Sequence, residues 1–207
     1  MIRAVRSLQP ADLDHAADVA VRSFFLDPGI QWVIPDAAER QRLGTKLATA
    51  MIRYASLDGV AEIDTEARGL ALWFRSDVQP PTETVLRHSG LWDVPALIGE
   101  QAWSRIRGLM ADLAGLHRIR HMETHWYLSL LGVDPDFQRQ GIGTNLIRSH
   151  LARTDAARLP CYLLAPIPYN VAFYEMRGFS VVAEANAADG HLHLRLMRRP
   201  PPSLNCE

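Results

Sequence analysis

The stretch Leu130-Leu131-Gly132-Val133-Asp134-Pro135-Asp136-Phe137-Gln138-Arg139-Gln140-Gly141-Ile142-Gly143-Thr144 constrains this chain more than any other. A dense apolar run of strand length, Trp126 to Val133, ends there in a polar turn. A helix then begins inside a glycine-bearing loop. The first amides of a helix have no intrahelical acceptor, and the macrodipole makes that end positive. Glycine lets backbone approach a ligand with no Cβ in the way. Together these make a cradle for a phosphate or pyrophosphate; the blander alternative is a plain strand-to-helix turn. Two other phosphate patterns fit worse. A Walker A loop needs a lysine after its last glycine, whereas Thr144 and Asn145 follow Gly143. A dinucleotide fingerprint needs glycine where Leu146 stands, with an acid further on that is missing.

The cradle has to be a local device, because the chain as a whole carries a formal net charge of −1. No overall field draws it to nucleic acid or to an anionic membrane. With 207 residues, 48% hydrophobic and 22% charged, one domain with a sizeable core is expected. No apolar run approaches the roughly 20 residues that span a bilayer. Met1 to Arg6 lacks the apolar stretch of a signal peptide. Two cysteines, Cys161 and Cys206, make no disulfide framework. A cytoplasmic location is the expectation, with a monomer or homodimer equally open.

Periodicity supplies the frame. Arg3 to Leu8 is a short strand, and Pro10 opens a helix with Leu13, Ala16, Ala17, Val19 and Ala20 at helical spacing. Asp27-Pro28-Gly29 should stop it. A second helix is expected from about Asp36 to Ala55, then strands at Val60–Ile63 and Leu70–Phe74 as an antiparallel hairpin. Helical character returns between Pro81 and Met122, with Ala102, Ile106, Leu109 and Leu113 on one stripe. After the Trp126 strand come a helix at Gly141–Leu151, a strand at Cys161–Ala165, a short helix at Val171–Met176, and strands at Phe179–Val182 and Leu192–Leu196. A strand–helix–strand unit implies a parallel pair joined by a right-handed crossover. The terminal pair is antiparallel, so the sheet is mixed, with helices on both faces.

The loop Gln138-Arg139-Gln140-Gly141-Ile142-Gly143 resembles the Arg/Gln-x-x-Gly-x-Gly/Ala loop of the GNAT superfamily of acyl-CoA N-acyltransferases. Asn170-Val171-Ala172-Phe173-Tyr174-Glu175-Met176-Arg177-Gly178-Phe179 resembles that superfamily's Asn-x-x-Phe-Tyr-x-x-x-Gly-Phe segment. Within it the chain is most similar to puromycin N-acetyltransferase-like proteins, through Leu70 to Phe74, Trp126 to Leu146 and Asn170 to Phe179. The resemblance implies an α+β, three-layer α/β/α GNAT fold around a mixed, mostly antiparallel sheet. It implies one N-acetyltransferase domain over residues 1–199, with a helical insertion at 81–122 shaping the acceptor side and a tail at 200–207.

The resemblance also implies roles. Acetyl-CoA is the co-substrate, with no metal. Leu131, Gly132 and Val133 run beside the pantetheine arm, and the backbone of Leu131 and Val133 pairs with it. Amides of Gln138, Arg139, Gln140, Gly141, Ile142, Gly143 and Thr144 hold the pyrophosphate; Gln138 stands where arginine is commoner. Asn170 and Phe173 touch the far side of the cofactor, and Tyr174 sits near the sulfur. Acyl transfer asks for a proton donor to the departing thiolate, for which Tyr174 is placed, and for a base to deprotonate the ammonium. Glu123, His125, or a water held by Tyr127 or Ser129 are the candidates for that base. A backbone N–H near the end of the Trp126 strand would stabilise charge on the carbonyl oxygen. Phe25, Trp126 and Tyr127 are candidate contacts for a small-molecule amine acceptor, and Arg139 and Arg148 for the ribose phosphate. A peptide amine remains an alternative acceptor, and a catalytically silent CoA-binding regulator an alternative function.

Other constellations are weaker. His117, His121 and His125 recur every four residues around Glu123, a pattern for metal ligands or, more plainly, for a solvent-facing helix end. A zinc-deaminase pattern fails because Leu164 replaces its second cysteine. Cys161, between Pro160 and Tyr162 in an apolar strand, is a buried core thiol rather than a nucleophile. His191 and His193 alternate with leucines and belong on an exposed sheet face.

Overall fold

The computed structural model describes residues 4–120 and 123–202, the side chains of His117 and Arg120 excepted. Seven strands form one sheet: β1 Val5–Ser7, β2 Val60–Asp64, β3 Gly69–Arg75, β4 Trp126–Val133, β5 Cys161–Ala165, β6 Ser180–Ala187 and β7 Leu192–Arg199. Their order is β1-β2-β3-β4-β5-β7-β6, and every neighbouring pair is antiparallel except β4 with β5. That parallel pair is joined through helix α7, Ile142–Ala156, as a strand–helix–strand unit requires.

Strand alternation sorts the core onto two faces. In β3, Ala71 and Trp73 face α7 and pack with Leu128, Ile142, Leu146 and Ile147. Leu70 and Leu72 face the other way, onto α1, Leu13–Phe24, and α3, Ala37–Asp58, through Ala16, Ala20 and Ile52, with Ile63 of β2 beside them. Burial of this kind stabilises by ~25 cal/mol per Å2 of apolar surface. The result is the α/β/α layering expected from the sequence.

The N-terminal cluster differs in one detail. Asp27-Pro28-Gly29 does end α1, but it also starts a helix, α2 Pro28–Val33. The Asp27 carboxylate accepts from the amides of Gly29 and Ile30, and Pro28 occupies the first helical position where no N–H is needed. The same capping by Asp36 on the Glu39 amide begins α3. Residues 83–120 hold α4 Glu83–Ser89, α5 Val94–Asp112 and α6 Ala114–Arg120. Ala102 and Ile106 pack with α2 and α3, whereas Leu109 and Leu113 join the β5–β7 cluster, so the predicted stripe divides between two cores along α5, which is kinked at Gly99 (φ 80°). The last short helix, α8 Pro168–Glu175, starts one turn earlier than the periodicity suggests because Pro168 serves as its first residue.

Candidate functional site

The site grows from the way β4 and β5 part. Their parallel register runs only Trp126↔Cys161, Tyr127↔Tyr162 and Leu128↔Leu163, after which β5 continues against β7 alone. From Ser129 to Val133, β4 keeps β3 on one side and turns an unpaired edge towards the gap. A bulge marks the parting point: Leu72 pairs with Leu130 and Trp73 with Leu128, leaving Ser129 as the extra residue. On the β3 side the Asp134 amide donates to Arg68 O at 2.8 Å, so alternation turns the backbone of Val133 and Leu131 to the open edge. Gln138 Nε2 donates to Val133 O at 3.1 Å, which fits that orientation.

Above the open edge stands the N-terminus of α7. Gly141 caps it at φ 84° and Arg139 also lies at positive φ, 61°, so the loop turns twice through the left-handed region. Successive turns of this kind aim amides into one concavity, and the Ile142, Gly143 and Thr144 amides have no acceptor within the helix. Two glycines that sequence reasoning gave no such role make the fit possible. A Cβ on Gly69 of β3 would meet Ile142 Cγ2 at 2.7 Å and Gly132 O at 3.1 Å. A Cβ on Gly132 would meet Ser23 Oγ at 3.1 Å and Phe24 Cε2 at 3.2 Å. The loop is also braced by Arg22, whose guanidinium reaches Asp134 at 2.9 Å and Asp136 at 2.6 Å. A basic residue in the last turn of α1 facing an acidic turn was the only available sequence signal.

Helix α8 lies against α7 from the β5 side. Arg177 donates to Thr144 Oγ1 and to Phe173 O, and its guanidinium covers the Phe173 ring at 3.5 Å. Asn170 sits in the first turn of α8, and Phe173 is edge-on to Tyr174 at 5.2 Å. Tyr174, half-buried, packs on the α7-side core and edge-on to Phe179 at 5.8 Å. Burial, and secondarily the nearby Tyr127 hydroxyl, pushes its phenol well above the ordinary value, with Arg177 opposing.

On the other side of the sheet a cleft of about 580 Å3 opens beside the bulge. Tyr127, Ser129 and His125 line one part, and Tyr54, Asp58 and Phe74 another. His125 is buried, 1% exposed, which corrects the expectation of a solvent-facing helix end. It lies outside any helix: its N–H donates to Ser76 Oγ at 2.9 Å and its carbonyl accepts from Ser76 N at 3.0 Å. Its Nδ1 is 2.8 Å from the Glu123 carbonyl, which only accepts, so Nδ1 carries the proton and Nε2 is the basic nitrogen. Glu123 is held differently. Arg198 Nε and Nη2 reach its two oxygens at 2.7 and 3.1 Å, and the Tyr162 hydroxyl donates to Oε1 at 2.6 Å. The Arg198 bond above all depresses the Glu123 carboxyl, making it a poor proton acceptor at neutral pH.

Phe25 stacks under the Arg40 guanidinium at 5.0 Å, at the C-terminus of α1. Trp126 faces α7, edge-on to His150 at 4.6 Å, so among the named candidates only Tyr127 borders the cleft. Cys161 is a buried core thiol, pushed up to about 11 by burial despite the Thr154 hydroxyl. His191 and His193 are exposed, as expected. Among the described residues no histidine, cysteine and carboxylate group is disposed to hold a metal; His121 and the His117 side chain lie outside those residues. No helix of the described residues is long and apolar enough to cross a membrane.

Residues 108–199 match the family model of the acetyltransferase (GNAT) domain. Over whole chains the fold is that of solved acetyltransferases. A histone acetyltransferase HPA2 and related acetyltransferase from Corynebacterium glutamicum is 20% identical, with 99% of each chain covered and a TM-score of 0.69. Arylalkylamine N-acetyltransferase 2 from Aedes aegypti is 13% identical, covering 96% of this chain and 99% of that one, with a TM-score of 0.59. The ribosomal-protein-S18-alanine N-acetyltransferase from Escherichia coli is 15% identical, covering 99% and 98%, with a TM-score of 0.51.

Proposed function

We propose that this chain is a GNAT-type, acyl-CoA-dependent N-acetyltransferase that transfers an acetyl group from acetyl-CoA to a primary amine of a small molecule, a reading supported by the acetyltransferase (GNAT) domain match over residues 108–199. The observation that carries this reading is the junction at Ser129, where the open edge of β4 meets a cleft of small-molecule size. The gap between β4 and β5 and the cradle at Gly141 suit a pantetheine arm and a pyrophosphate respectively. Leu131 and Val133 would hold the arm through backbone, and Gln138 to Thr144 the diphosphate through amides. Asn170 and Phe173 would flank it. Bound there, acetyl-CoA supplies a thioester open to attack by an amine.

The chain's own groups then handle protons and charge. Tyr174, kept protonated by its surroundings, gives its proton to the thiolate side. His125 Nε2, directly or through a water at Tyr127 or Ser129, takes a proton from the amine side. An amide of the open β4 edge steadies charge on the carbonyl oxygen. Direct transfer within a ternary complex is favoured because Cys161 is buried and bonded to Thr154. The segment Val78 to Pro81, leading into the 81–122 helical insertion, walls the cleft, so this insertion would tune the acceptor. Likeness to puromycin N-acetyltransferase-like proteins rests on sequence motifs alone and agrees with a small acceptor. Solved acetyltransferases of this fold include one named for arylalkylamines and one for a ribosomal protein, so a peptide amine is the second reading. The volume of the cleft, about 580 Å3, favours the first.

Calorimetric titration with acetyl-CoA, followed by thiol release with a panel of amines, tests the reading. Micromolar binding and intersecting initial-rate lines are expected. No binding at millimolar acetyl-CoA would overturn it, and parallel lines would replace direct transfer by an acyl-enzyme.

A further inference from the structure

Asp58 is the last residue of α3, a helix of 22 residues with no basic residue in its final turn. A carboxylate there faces the helix's own negative end, an unfavourable placement unless a cation is near. Among the described residues no arginine or lysine supplies one: the Asp58 carboxylate sits beside the Tyr54 phenol, which burial and then that carboxylate push up to about 12. The arginine in the same cleft, Arg75, is already paired with Asp77 at 2.7 Å. Asp58 lines the cleft that reaches Ser129, and in the same cleft Tyr54 and Phe74 stack at 4.9 Å and 23°. Aromatic faces beside a carboxylate form a surface for a cation carried on an apolar or flat body.

The reacting amine must be neutral to attack, and it belongs at the Ser129 end. A carboxylate elsewhere in the same cleft is therefore matched to a second charge on the same molecule. We propose that the acceptor is a dibasic small molecule, whose second cationic centre is held by Asp58 between Tyr54 and the end of α3 while its primary amine reacts near Ser129. This rests on the amine-acetylating reading above and adds the substrate class to it.

A matched pair of probes tests it: 1,4-bis(aminomethyl)benzene and 4-methylbenzylamine, which share a body and differ in the second amine. Wild-type kcat/KM for the diamine is expected to exceed that for the monoamine by about tenfold or more. Rising salt should narrow the gap by weakening the diamine only. Asp58→Asn should remove most of the gap with the monoamine unchanged and acetyl-CoA affinity intact. Equal rates for both probes in the wild type would overturn the proposal while leaving amine acetylation standing. A gap that survives Asp58→Asn in a protein of unchanged melting temperature would overturn it as well. Acetyl-CoA binding with neither amine acetylated would sink both readings together. The wild-type comparison stands even where the variant fails to fold.

Discussion

The two sides of the proposed site are built from different material. The proposed cofactor side offers backbone: an unpaired strand edge, helix amides and two left-handed turns at Arg139 and Gly141. The proposed acceptor side offers side chains from α3, β3, β4 and the segment before Pro81. Backbone recognition leaves a sequence trace, because only certain residues permit the geometry. Side-chain recognition from four separate segments leaves none, since each residue is ordinary in its own element. On the proposed reading the first side is fixed by the fold and the second is free to change with the substrate.

Changes at either side should therefore separate in kinetics, and the largest effect is expected where the two meet. Tyr174→Phe should lower kcat by about 100-fold or more for every amine, with acetyl-CoA affinity nearly unaltered. An unaltered rate would remove Tyr174 from the proton-donor role. Gly69→Ala comes next. Its Cβ would press on Ile142 and the Gly132 carbonyl, tilting the cradle, so acetyl-CoA binding measured calorimetrically should weaken by about tenfold. Amine KM extrapolated to saturating acetyl-CoA should hardly move. Equal damage to both substrates would break the division between sides.

Tyr54→Ala should do the reverse, raising amine KM about fivefold through the lost aromatic wall while acetyl-CoA affinity stays constant. Glu123→Gln should change kcat/KM by less than about threefold, because Arg198 already occupies the carboxylate. A 100-fold loss with a normal melting temperature would make Glu123 the base after all.

The smallest effect concerns stability. Buried His150, stacked on Trp73 at 4.1 Å, has its pKa lowered from the ordinary 6.5, chiefly by burial. A depressed histidine contributes its full stability above that value and loses it as pH falls below. Glu62 beside it, held below its ordinary 4.5 by His150 and Arg153 against desolvation, adds a second loss further down. Melting temperature should therefore decline as pH drops from 6.5, and His150→Phe should flatten the upper part of that decline.

Much of this was legible in the residues. Strands β4 and β5 match the apolar runs at Trp126–Val133 and Cys161–Ala165 because both are short, buried and bounded by polar turns or proline. The turn and helix start at the proposed cradle were legible from Gly141 and Gly143 ahead of an apolar helix face. What stayed hidden depends on distance in the chain. Arg198 claims Glu123 from 75 positions away, and Ser76 fixes His125 from 49. Asp27-Pro28-Gly29 carried both a stop and a start signal, and local breaker rules see only the stop. The bulge at Ser129 also left no mark, since nothing in Leu128-Ser129-Leu130 distinguishes a slipped residue from a regular one.

The three-rung pairing of β4 with β5 has a mechanical consequence. Strands β1–β4 form one leaf and β5–β7 another, and between the open ends only side-chain packing and α7 hold them together. A molecule seated in that seam would act as a rivet, replacing absent rungs with its own amides. Bound and free protein should then differ most in amide exchange along Ser129–Val133, at the hinge line rather than in the body of either leaf.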